Sequence, residues 1–254
     1  MRGWRAPPHH GDGGRLVVAT YNVHTCVGVD HRYDPARIAQ VLRELQADII
    51  GLQEVDAGHR HGRRVDQWLF LAEATGLGLV RGASLIDHRG RFGNAILTRF
   101  PVIGVRQIDL SVPGREPRGA IDVDLAVEGR VLRVIATHLG LNAAERRIQA
   151  RRLVERLAAV AGRHDGLIIM GDLNEWRGSR GGIRTLERRF GGEPALRTFP
   201  SWLPLLRLDR IYAGGGASLS GATVHRTPLA RIASDHLPLK ASLAWREADA
   251  VSRR

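Results

Sequence analysis

The chain has 254 residues, 43% of them hydrophobic, which is enough for a sizeable core and sets disorder aside as the default. Its formal charge of +12 favours anionic partners: nucleic acid, phosphorylated small molecules or phospholipid headgroups. Cys26 is the single cysteine, so the chain can form no internal disulfide and no cysteine-based zinc cluster. The cations are Arg apart from Lys240, so part of the charge reflects residue usage and carries no site by itself.

Residues 1–14 lack the apolar run of a signal peptide, and no stretch approaches the ~18–20 apolar residues of a membrane helix. The expectation is a cytoplasmic monomer without an integral membrane segment. Residues 16–22 (LVVATYN) read as a buried strand. Residues 35–46 read as a helix, with Asp34 as N-cap and Pro35 at the first helical position. Ile38, Val41, Leu42 and Leu45 share one face of it. A strand over 48–55 follows, then a helix over 66–75 stopped by Gly76. Short strands are expected at 94–98, 102–110, 120–127 and 131–138, the last two joined by Glu128-Gly129-Arg130 as a hairpin. A long helix over 142–161 leads to a buried strand at 166–171. A Gly-rich loop at 177–182, expected to be mobile, precedes a short helix at 183–189. Strands at 208–212, 218–225 and 237–244 complete the pattern. Without repeats or a linker, one domain over 15–246 is expected, between a flexible segment at 1–14 and a flexible tail at 247–254.

Polar residues stand where these strands end, the place where loops present reactive groups on a rigid scaffold. They are Asn22, Glu54, His138, Asp172, Asn174, Asp209, Asp235 and His236. Singly, each reads as a solvated loop residue, a cap or an Asx turn. Their force is joint. Cys26 also follows a strand, but a small buried hydrophobe is the expected role of a free Cys.

Seven stretches together resemble the endonuclease/exonuclease/phosphatase superfamily. They are TYNVH (20–24), LQEV (52–55), GNAILTR (93–99), THL (137–139), GDLN (171–174), LDRIY (208–212) and SDHLP (234–238), in family order across almost the whole chain. The resemblance implies a four-layer α/β sandwich: two mainly antiparallel sheets packed face to face, helices outside, and the site at one end. It implies Glu54 as the principal metal ligand with Asn22 close by, and Asp235 helping to hold that metal or a second one. Asp172 and Asn174 would orient the attacking water. His236, oriented by Asp209, would act on the phosphate or the water, and His138 would contact the phosphate or protonate the leaving group. Asn94 and Arg118, in GNAIL and EPRGA, are candidate substrate contacts, although an Arg in a basic chain is more often a surface charge.

Oxygen ligands of this kind suit Mg²⁺, or Mn²⁺, rather than zinc. Hydrolysis of a phosphoester needs neutralised phosphate oxygens, an oriented water and a proton for the leaving oxygen. Thr137-His138-Leu139 stands where base-excision repair members of the superfamily carry Tyr-x-Pro-Asn, so the chain resembles the phosphatase and sphingomyelinase-like side. His24-Thr25-Cys26 departs from the His-Lys-Gly of many small bacterial members. The leading expectation is a Mg²⁺-dependent hydrolase acting on a small phosphorylated molecule or lipid headgroup. A DNA or RNA nuclease using the same site is the alternative, favoured by the charge. A non-catalytic phosphate-binding module is a third, opposed by the full set of motif residues. Near the mouth by sequence lie His24, Arg91 and Trp176; His59 and His61 form a basic loop; Trp202 could close over a substrate, but the core is the expected place for a Trp.

Overall fold

The computed structural model describes residues 16–58, 65–87, 90–159, 164–176, 182–192 and 194–246. The two end segments, His59 and His61, and most of the Gly-rich loop lie outside the described residues.

Two six-stranded sheets form the centre. The first is ordered β11 (Ala217–Val224), β12 (Leu239–Trp245), β1 (Leu16–Asn22), β2 (Ile49–Gly58), β4 (Gly90–Thr98), β3 (Gly78–Asp87). The second is ordered β5 (Val102–Asp109), β6 (Gly119–Val127), β7 (Arg130–His138), β8 (Gly166–Asp172), β10 (Asp209–Gly215), β9 (Gly191–Gly192). Pairing is antiparallel except between β1 and β2 and between β7 and β8. A helix bridges each parallel pair, α1 (Pro35–Leu45) in the first and α3 (Ala143–Ala158) in the second, because parallel neighbours need a crossover.

Alternation along the strands sorts side chains into three apolar layers. In β8, Ile168 and Met170 face the other sheet, while Leu167 and Ile169 face the helices. Val18, Ile49 and Ile96 meet Ile121, Val123 and Val134 between the sheets. Tyr21, Ile50 and Leu97 pack outward against α1, α2 (Gln67–Thr75) and α5 (Ala230–Ala233). Ile135 and Ile169 pack outward against α3 and α4 (Arg184–Arg189). This is the expected four-layer sandwich. Among the described residues, no helix is long and apolar enough to cross a membrane.

Caps behave as the sequence suggested. Asp34 accepts from Arg37 N at 3.0 Å, Asp66 accepts from Leu69 N at 3.0 Å, and Gly76 takes a left-handed φ of 67° to end α2. The expectations fell short at edges. β3 was not foreseen, since Gly78, Arg81 and Gly82 interrupt its apolar pattern; pairing with β4 makes it a strand. β4 itself begins at Gly90, not at Asn94. α3 stops at Ala158, short of the expected 161. The four-residue α5 and two-residue β9 are too short to leave a periodic signal.

One ion network is buried in the second sheet. Asp122 accepts from Arg133 Nη2 at 2.6 Å and from Arg106 Nε at 2.9 Å, and Asp122 and Arg133 are both almost fully buried. Burial alone would raise the Asp122 carboxyl, but Arg133 and then Arg106 outweigh it and hold it below the usual carboxylate range. Asp122→Ala should cost about 3–5 kcal/mol in urea unfolding, because it strands a buried guanidinium. A depressed folded pKa contributes stability above the unfolded value. The gap between wild type and variant should therefore close as pH falls from about 3.9 through the lower folded value. A gap independent of pH would contradict this account.

Candidate active site

Strand register brings the polar residues together. His138 pairs with Asp172 across β7 and β8, and Asp172 pairs with Asp209 across β8 and β10. Three adjacent strands thus present three reactive groups in a row. In the other sheet Asn22 ends β1 beside Gln53 of β2. Glu54 sits in a register shift between Leu52 and Val55 with φ of 57°, a left-handed conformation uncommon outside glycine. Such a bulge re-aims a side chain. Asn174 shares the feature, with φ of 51°. Strained backbone of this kind costs about 1–3 kcal/mol and clusters at functional sites.

At the site, one amide links the carboxylates of the two sheets. Asn22 Nδ2 donates to Glu54 Oε1 at 2.8 Å and to Asp172 Oδ2 at 3.1 Å. Its Oδ1 accepts from His24 N at 3.0 Å. Asp172 Oδ1 accepts from Asn174 N at 2.9 Å. Asp172 Oδ2 lies 3.5 Å from His138 Nε2 and 3.5 Å from His236 Nε2. Asp209 Oδ2 meets His236 Nδ1 at 2.9 Å and accepts from Thr198 Oγ1 at 2.6 Å. Phe199 packs its ring against His236, centroids 4.9 Å apart. Ser234 Oγ donates to Asn22 O at 2.8 Å, tying the segment that carries Asp235 and His236 to the end of β1.

The two imidazoles are tuned apart. Burial pulls the His236 pKa down, but the Asp209 and Asp172 charges override it and push the ring up to about 10. For His138, burial and then the Arg118 guanidinium pull it down to about 3. Arg118 Nη1 stands 3.0 Å from His138 Nδ1, and Asn174 Nδ2 stands 3.0 Å from His138 Nε2. A neutral imidazole accepts at only one nitrogen. A guanidinium can only donate, so Nδ1 takes the Arg118 hydrogen and the ring proton sits on Nε2, toward Asp172; Asn174 Nδ2 also donates to Leu139 O at 2.9 Å.

The family model for the Endonuclease/Exonuclease/phosphatase family matches residues 19–236. The chain belongs to this family. Its members are generally hydrolases of phosphoesters that depend on divalent metal ions. It is 34% identical over 245 residues to the Escherichia coli K12 protein "Uncharacterized protein YbhP", covering 89% of this chain and 95% of that one. Among solved structures it resembles a mannosyl-6-phosphatase of Bacteroides thetaiotaomicron, with a TM-score of 0.73, 18% identity and coverage of 91% and 100%. It also resembles the human Nocturnin catalytic domain, solved with a sulfate anion, with a TM-score of 0.69, 22% identity and coverage of 91% and 94%. At these identities the two structures bear on the fold alone.

Within this family frame the donor set can be tested against a divalent cation. Burial first, and then the Asp235 and Asp172 charges, push the Glu54 carboxyl up, against the hydrogen bond from Asn22. A carboxyl raised by its charged neighbours, among hard carboxylate oxygens, fits Mg²⁺ or Mn²⁺. Asp172, Asp209 and His236 form a second grouping whose ligand atoms lie within 4.8 Å of one another. It includes an imidazole already bonded to Asp209, so it suits a proton-handling pair better than a hard cation.

Asn94 Nδ2 donates to Gly119 O at 3.0 Å, a bond from β4 to β6 of the other sheet. Arg118 is not the surface charge that residue statistics favour: it is 7% exposed and also pairs with Glu116 Oε2 at 2.9 Å. Trp202 is not in the core. It is 61% exposed, on a loop whose base is fixed by Ser201 N donating to Asp235 O at 2.7 Å. Trp176 lies under the Arg146 guanidinium, 4.9 Å from its carbon. His24 reaches within 3.8 Å of Asp235. Cys26 is fully buried and burial pushes its thiol far up, as expected of a small hydrophobe. Sequence reasoning missed Thr198, Phe199 and Ser234. Only Ser234 left a trace, as the first residue of SDHLP.

In chelator-treated protein, His236 should titrate at about 10 by NMR, and Asp209→Asn should lower that value. Because the folded pKa exceeds the unfolded value of about 6.5, the pair stabilises the fold fully below that pH and loses its contribution as pH rises through the folded value. Asp209→Asn should therefore destabilise most in mild acid, and an unchanged His236 titration would contradict the pairing.

Proposed function

We propose that this protein is a Mg²⁺- or Mn²⁺-dependent hydrolase of phosphoester bonds in a small phosphorylated molecule or lipid headgroup. The observation that carries this reading is the convergence of Glu54 and Asp172 on one amide, with His138 and His236 against the same Asp172 oxygen. Glu54 would hold the metal, with Asp235 and Asp172 beside it and Asn22 orienting the carboxylates. The bound ion supplies charge neutralisation at the phosphate and a more acidic water.

The chain's own groups do the rest. Asp172 Oδ2 is the carboxylate oxygen nearest both imidazoles, which suits it to orient the attacking water and accept its proton. Asn174 N fixes the other oxygen. His236, kept cationic by Asp209, presents Nε2–H to the negative charge that grows on the phosphoryl oxygens. His138, kept neutral, offers its Nε2–H to a phosphate or leaving oxygen. The +12 charge favours the second reading, a nuclease.

Purified protein should hydrolyse a generic phosphomonoester or phosphodiester with Mg²⁺ or Mn²⁺ and stop with chelator. Glu54→Ala, Asp172→Ala and His236→Ala should each lower kcat by about 10²-fold or more while melting cooperatively. Wild-type turnover by Asp172→Ala would sink the mechanism. A nuclease would instead prefer oligonucleotides and lose affinity steeply with salt.

A further inference from the structure

Residues 197–207 read RTFPSWLPLLR, without an acidic residue. Phe199 and Leu206 face each other in an antiparallel bridge, so the segment folds back on itself as a tight loop. At its tip Trp202, Leu203, Leu205 and Leu206 are exposed, Trp202 and Leu205 by more than half. Ile232 of α5 is exposed as well, and its neighbour Arg231 donates from Nη1 to Trp202 O at 3.1 Å. Large apolar side chains exposed singly are ordinary, whereas a contiguous group marks a surface that meets something.

The loop is built to hold that exposure. Leu203 N donates to Pro200 O at 3.1 Å, and Leu205 N and Leu206 N donate to Phe199 O at 2.8 and 2.7 Å. Pro204 has no N–H to satisfy. Thr198 N donates to Leu206 O at 2.9 Å, and Arg231 fills Trp202 O. The tip thus turns hydrocarbon outward while most of its backbone groups are already bonded. An apolar medium demands this, because an unmet N–H or C=O is costly there. The base of the loop is fastened to the site. Thr198 Oγ1 donates to Asp209, the Phe199 ring packs on His236, and Ser201 N donates to Asp235 O. The tip therefore stands at the end of the sandwich that carries the reactive groups.

Charge identifies the occupant. Arg197 and Arg207, both exposed, flank the neck of the loop, and Arg231 supports its tip. A Trp and several Leu ringed by guanidinium groups match an anionic lipid surface. There the Trp takes the boundary between hydrocarbon and headgroups, and the cations meet the phosphates. A second copy of the chain fits poorly, because a two-fold contact lays the patch on itself and sets the same cations against one another. A stable protein interface uses about 20–30 residues a side, far more than one loop offers. We propose that residues 202–206 seat this protein on an anionic lipid surface, with the mouth of the site turned toward the headgroups. The proposal is read by binding, so it stands or falls apart from the hydrolase reading.

The test sediments the full chain, with Mg²⁺ present, against two kinds of vesicle: phosphatidylcholine alone, and phosphatidylcholine with phosphatidylglycerol in equal parts. The mixed vesicles should bind it about ten-fold more tightly or better, and its tryptophan emission should shift to the blue. Trp202→Ser combined with Leu205→Ser should weaken that binding by about ten-fold and remove the shift, while melting as the wild type does. Arg207→Gln should weaken binding to the mixed vesicles by about five-fold and leave the neutral ones unchanged. Absence of binding to the mixed vesicles overturns the proposal. So does unchanged binding by the double serine variant, which would leave charge alone as the cause. A dimer in lipid-free solution that the double serine variant abolishes would assign the loop to a second copy and overturns it as well.

Discussion

A single carboxamide joins the two halves of this protein where it matters. The two hydrogens of Asn22 Nδ2 reach Glu54 in its own sheet and Asp172 in the other. Strand register delivers Asp172 and a bulge delivers Glu54, but neither says anything about distance between sheets. The amide supplies that distance. It also offsets the repulsion of two like charges brought together in a partly buried place, where such charges interact more strongly than in water. Ser234 then secures Asn22 from behind, so the segment bearing Asp235 and His236 shares the same anchor.

Around that anchor, equal chemistry acquires unequal properties. His138 and His236 stand at the same distance from Asp172. What separates them is the group on the far nitrogen: a guanidinium for one, a carboxylate for the other. The first repels a proton and the second retains it, so two identical side chains serve as a neutral donor and a cation. Thr198 and Phe199 reinforce the second arrangement by fixing Asp209 and the His236 ring.

Much of this was legible in the chain. Strand cores such as LIIMG announce themselves by apolar character, and polar residues immediately after them are exposed to the chemistry at the sheet ends. His138 and Asp172 were identifiable for that reason and Asp209 as the residue that opens the next apolar run, and their adjacency follows from pairing. What escaped was decided by tertiary contact. The bulge that turns Glu54 has no local signature, and Arg118 looks like any other Arg until its burial beside His138 is seen. β3 becomes a strand because β4 is beside it. Thr198 lies far from any motif, and only the folded chain reveals which carboxylate it meets.

Cys26 gives the molecule an internal reporter. It is the chain's single thiol, sealed at the foot of the turn His24–Cys26, four residues past the anchoring amide. Its backbone holds Asp34 N at 2.8 Å, so the turn and the start of α1 close over it together. A sulfhydryl reagent can reach it only when that corner lifts. The pace of alkylation would then measure how often the mouth breathes, without a dye, a tag or an engineered residue.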